Sequence, residues 1–177
     1  MRRWFLVCIA FVLAGCASPY GPRSLTLTPE EIERHIETDL GALMEVFRGL
    51  ELRRPEVGLM PAAGRVQLAW TVRLPNTALD PAQYGWINAR IEVSGKPKLN
   101  AAGNGIVLTQ ATIDDVRLGG LPRLFGFSQL IDRKGAAVPD FALIALPDSM
   151  LRRADVVYRA SAVSVTYSGL RIEIEPK

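Results

Sequence analysis

Chemistry needs reactive side chains, and this 177-residue sequence offers few: two cysteines, one histidine and scattered hydroxyls and carboxylates. Both thiols lie near the N-terminus, Cys16 at the end of Leu13-Ala14-Gly15-Cys16. A thiolate is a nucleophile that can be alkylated or acylated. His35 stands alone, and with no free thiol to join it a metal site is not expected. Ser128 sits in Gly-Phe-Ser-Gln-Leu, without the second glycine of a nucleophile elbow. Gly103-Asn104-Gly105 reads as a turn, since no lysine or helix start follows to make a phosphate loop. Asp114-Asp115 could pair carboxylates but reads better as an exposed strand end. Arg152-Arg153 could meet anionic headgroups, but two charges on a solvated segment is the simpler account. Trp70 and Trp86 could line a pocket mouth, and Trp70 suits a core equally well. No catalytic constellation emerges, so no enzyme, cofactor or metal is expected.

The cysteine acquires meaning from its surroundings. Met1-Arg2-Arg3 is basic, and Trp4 to Val12 is an unbroken apolar run too short to span a bilayer. With Leu13-Ala14-Gly15-Cys16 behind it, this N-terminus resembles the leader and lipobox of bacterial lipoproteins. The resemblance implies a signal peptide over 1–15, acylation of Cys16, and a membrane partner reached through that anchor. Ala17, rather than Asp, after the cysteine implies the outer membrane, facing the periplasm. Loss of Arg2 and Arg3 lowers the formal charge of +3 by two, so the basic balance is no nucleic-acid signature. Residues 16–24, with Pro19, Gly21 and Pro22, read as a linker. Its eight residues from Ala17 to Ser24 reach at most roughly 26 Å. The remainder, 25–177, reads as one domain.

Thr28 to Arg48 reads as the single long helix. Thr28 and Glu31 form a capping box, Pro29 suits the first helical position, and Gly49 supplies a stop. Ile32, Ile36, Leu40, Leu43 and Phe47 recur at helical spacing. Such a helix would be about 30 Å long, and its stripe needs cover.

The rest alternates at period two. Val66, Leu68, Trp70, Val72 and Leu74 share one face; Ile87, Ala89, Ile91 and Val93 share another. Each strand has a dry and a wet side, which argues for an antiparallel sheet covered on one side. In 106–118 the apolar positions change parity, and a bulge near Asp114-Asp115 would reconcile them. Phe141 to Leu146 has strand length, 119–132 has the apolar content of a short helix, and Ser168-Gly169 joins a closing hairpin.

The lipobox, short linker, T-x-x-E-I helix start and V-S-V-x-x-S-G-L-R-I-E-I hairpin together resemble the YceB-like bacterial lipoproteins. That family is similar in fold to the tubular lipid-binding proteins, in which a bent antiparallel sheet wraps a long helix and acyl chains lie between them. The resemblance implies an α+β fold, a curved antiparallel sheet around one long N-terminal helix. It also implies an apolar groove lined by Ile32, Ile36, Leu40, Leu43, Phe47, Leu68, Trp70, Val72, Ile87, Ala89 and Ile91. The expected function is a non-enzymatic, anchored lipoprotein binding a lipid or other apolar ligand. The competing class is a scaffold lipoprotein that packs the same residues as a core and engages an envelope protein through its surface.

Overall fold

β-branched and aromatic residues at every second position favour pleated strands, and the computed structural model is built largely of them. It describes residues 21–36, 55–75, 86–118, 133–153 and 155–177. Chain order is β1 (Arg23–Leu27), α1 (Pro29–His35), β2 (Glu56–Met60), a 3-10 turn (Pro61–Ala63), β3 (Arg65–Pro75), β4 (Trp86–Leu99) and β5 (Gly105–Leu118). It continues with β6 (Ala137–Val138), β7 (Phe141–Ala145), α2 (Asp148–Leu151), β8 (Arg152–Arg153), β9 (Val156–Val165) and β10 (Leu170–Pro176).

The strands form two antiparallel sheets, one ordered β1-β10-β9-β8 and one ordered β2-β3-β4-β5-β6, with β7 also paired to β5. Dry faces from both feed one apolar cluster, in which Leu27, Tyr158, Ile172 and Ile174 join Leu68, Trp70, Ile91 and Leu143.

The long helix is a correction. The capping box forms as expected: Glu31 N donates to Thr28 Oγ1 at 3.3 Å, and Thr28 N donates to Glu31 Oε2 at 2.9 Å. The helix then ends at His35. Ile36 turns to φ −54°, ψ 125°, keeps one N–H bond to the Ile32 carbonyl, and pairs as a β-bridge with Ile144. Helical periodicity is a local signal, and a short helix owes most of its stability to packing. At Ile36 a strand partner competes for the same apolar side chain and wins. The α+β body with a sheet around one long helix is therefore replaced by a mostly β architecture. It has two curled sheets and, among the described residues, two short α-helices. Leu40, Leu43 and Phe47 lie outside the described residues, as does 119–132.

The strand expectations fare better. Val66, Leu68, Trp70 and Val72 are fully buried while Thr71 is exposed. In register, Leu68 faces Val93, Trp70 faces Ile91 and Val72 faces Ala89. The bulge at Asp114 is present: Glu92 pairs with Asp115 but Val93 pairs with Ile113. A second, unexpected bulge lies at Gln110-Ala111, between the Ser94–Thr112 and Lys96–Thr109 pairs. It corrects the parity of β5, whose buried residues run Ile106, Leu108, then Ala111, Ile113, then Val116. Each bulge moves the apolar set to the other side of the strand's own count, so the dry face stays continuous. The closing hairpin also forms, with Leu170 opposite Val165. The linker is shorter than expected, since Arg23 and Ser24 already pair with Ile174 and Glu173.

Candidate functional site

β3 and β4 place the middle of the expected groove. Leu68, Trp70, Val72, Ala89 and Ile91 lie side by side on one face, between 0% and 2% exposed. Ile32 and Ile36 belong to the same cluster, but Ile36 reaches it through its bridge to β7 rather than as part of a helical stripe. Ile87 stands opposite Leu74 in the ladder, and nothing is described of its side chain. Cys16, Trp86 as a side chain, and Ser128 fall outside the described residues.

Within this dry face one atom is out of place. The Trp70 Nε1–H is buried and, among the described residues, meets no hydrogen-bond acceptor. A buried donor left unpaired costs about 1–3 kcal/mol, and native structures seldom keep one. The flanking residues Leu68, Val72 and Ile91 carry no polar side-chain atom that could answer it. This face is thus an apolar, fully buried wall that holds a single unanswered donor.

Polar chemistry sits on the opposite face of the β2–β5 sheet. Arg90 bridges Glu56 at 2.8 Å and Glu92 at 3.0 Å; Asp115 pairs with Arg117 at 2.6 Å and Lys134 at 3.3 Å. Asp114 accepts from the Thr112 hydroxyl, while Asp115 is held by Arg117 and Lys134. Arg65 ties β3 to β4 and to the bulge, donating to Ser94 Oγ and O, Gln110 O and Thr112 Oγ1. That staple explains why Ser94 is buried at 2% exposure on a side otherwise wet. His35 and the Arg152-Arg153 pair are exposed. Among the described residues no group of three acids, histidines or cysteines could hold a metal ion.

The Arg90 hydrogen bond and charge hold the Glu56 carboxyl below its ordinary 4.5, and Arg117 and then Lys134 hold Asp115 below 3.8. Both lowered carboxylates stabilise the fold above their unfolded values and lose that contribution as pH falls through their folded ones. Unfolding by urea at about pH 7 and about pH 3 should therefore show an acid loss that shrinks in Arg90→Gln and Arg117→Gln. An equal acid loss in wild type and both variants would show that other groups carry it. The pairs are exposed, so the effect is small.

Sequence reading missed the contribution of Ile106, Leu108, Leu143 and Ile144 to the same cluster, all of them fully buried or nearly so. The available signal was the break in alternation between Leu108 and Ala111. No known protein family and no curated protein matches the chain.

Proposed function

We propose that this protein is a non-enzymatic lipoprotein, anchored through Cys16 to the outer membrane and facing the periplasm, that binds an acyl-chain ligand against the dry face of β3 and β4. The observation that carries the reading is Trp70. An apolar wall with one unanswered N–H suits a ligand that is mostly hydrocarbon with one carbonyl or carboxylate oxygen. Burial at about 25 cal/mol per Å² would supply affinity, and the indole would fix where the head stops. The resemblance of the N-terminus and closing hairpin to YceB-like lipoproteins supports the same reading.

A second reading has its own observation. Leu68, Trp70, Val72 and Ile91 are all 0% exposed, as they would be in a filled core. On that account the protein is a scaffold that meets an envelope protein through its surface.

Ala89→Trp separates the two. Ala89 is 2% exposed and lies opposite Val72. In a ligand chamber the larger ring occupies ligand space, so the variant stays folded and native mass spectrometry no longer finds the copurifying lipid that wild type carries. In a filled core the ring overpacks and costs about 1–3 kcal/mol. A destabilised variant, together with wild type that carries no lipid, would sink the ligand reading.

A further inference from the structure

One hollow on the outer surface is not explained by the core. Lys96, Pro97, Lys98, Thr109, Gln110 and Asp140 line a depression of about 450 Å³. Lys96 and Lys98 are two residues apart on β4, so both side chains stand on the same face, and both are exposed. Among the described residues neither ammonium has a carboxylate within ion-pair distance, although Asp140 lies across the same hollow. The floor is the second β5 bulge. Gln110 there holds φ at +50°, the one non-glycine residue with positive φ among those described. That left-handed backbone is strained for glutamine, and bulges of this kind gather beside binding sites. Arg65 Nη2 binds the Gln110 backbone carbonyl at 3.1 Å, and the exposed Gln110 side chain lines the hollow.

The hollow also has a definite place relative to the N-terminus. β1 begins at Arg23, which pairs with Ile174, which in turn pairs with Ala160. Ala160, Arg159 and Glu175 border a neighbouring depression whose other wall is Leu99 to Gly103, the turn that follows Lys98. The two lysines thus stand within a few residues of the end of the body where the linker joins. From Cys16 to Arg23 the chain reaches at most about 25 Å.

We propose that this hollow seats the headgroup of an anionic glycerophospholipid in the leaflet that carries the anchor. Lys96, Lys98 and the Gln110 amide face the phosphate, and Asp140 accepts from a headgroup hydroxyl. The inference rests on the anchored reading above. It adds an orientation: the body lies with the β4–β5 turn against the bilayer and the β9–β10 turn away from it.

The test uses the full lipidated chain reconstituted in vesicles of phosphatidylcholine alone or mixed with phosphatidylglycerol. A dye is placed at Thr109→Cys, in the hollow, or at Tyr167→Cys, an 89% exposed site in the β9–β10 turn. A quencher on the lipid headgroups should dim the first dye only when phosphatidylglycerol is present, and should leave the second bright. The dimming should weaken with added salt, and a Lys96→Glu, Lys98→Glu variant should lose it. Equal quenching in both vesicles, or quenching untouched by charge reversal, overturns the proposal. So does its removal by inorganic phosphate at the same ionic strength as a chloride control, which would make the hollow a site for the free anion. A chain that floats with the vesicles but stays bright overturns the docking alone. A chain that does not float overturns the anchor and the docking with it.

Discussion

Gly169→Ala should lower stability by about 3 kcal/mol or more, at or beyond the upper end of ordinary overpacking. Gly169 closes the hairpin between β9 and β10, where its carbonyl accepts from Thr166 N at 2.9 Å and Thr166 Oγ1 at 2.8 Å. A Cβ there would overlap the Leu27 carbonyl, with Thr26 Cγ2 only 3.0 Å away. The obstacle is backbone from β1, so no rotamer change relieves it. Either β1 moves off the ladder or the turn opens, and both release Leu27 and Leu170, which are buried at 4% and 0% exposure. For a chain of this size the loss corresponds to roughly 6–12 °C in Tm. Gly64→Ala is the control: Gly64 has φ +62° with nothing within 4 Å of its missing Cβ, so it should cost only about 1 kcal/mol of backbone strain. Thermal unfolding of both variants checks this. Equal losses would mean that β1 yields freely and is not held where the ladder places it.

Trp70 carries the other large effect. Trp70→Ala should cost about 3–5 kcal/mol, the usual loss for a large aromatic in a closed core. Trp70→Phe is more informative. It removes part of the ring, which destabilises, and also the unanswered N–H, whose burial costs about 1–3 kcal/mol. In lipid-free protein the two should nearly offset, leaving Trp70→Phe close to wild type. If an acyl ligand binds as proposed, the balance should tip, because wild type would gain a hydrogen bond that the variant cannot make. The measurement is urea unfolding of delipidated wild type, Trp70→Phe and Trp70→Ala, each with and without a fatty acid. If Trp70→Phe loses about as much as Trp70→Ala without lipid, the indole N–H has a partner in solution and the argument from an orphan donor fails. If fatty acid stabilises wild type and Trp70→Phe equally, the donor does not touch the ligand.

What could be read without coordinates was whatever depends on neighbours close in sequence. Thr28 and Glu31 cap α1 because both partners lie within one turn. The dry faces of β3 and β4 follow from strict alternation, since the pleat sends every second side chain the same way. The bulge at Asp114 showed itself because Ala111 and Ile113 have one parity and Val116 the other, and both sets face the core. Ser168-Gly169 announced its turn.

Three matters were decided only by the tertiary structure, each for the same physical reason: the deciding partner is far away along the chain. α1 stops at His35 because Ile36 finds Ile144, more than a hundred residues on. No helical periodicity can report that competition. Gln110 takes a left-handed backbone because Arg65, forty-five residues earlier, holds its carbonyl in the bulge, whereas by type a glutamine in a strand gives no warning. Arg23 and Ser24 look like linker but become strand because β10, at the opposite end of the chain, offers a free edge. The composition of the candidate site was therefore legible on β3 and β4, where local alternation governs. What covers that face, and the single donor left unanswered in it, were set by contacts that arise only once the two sheets close on each other.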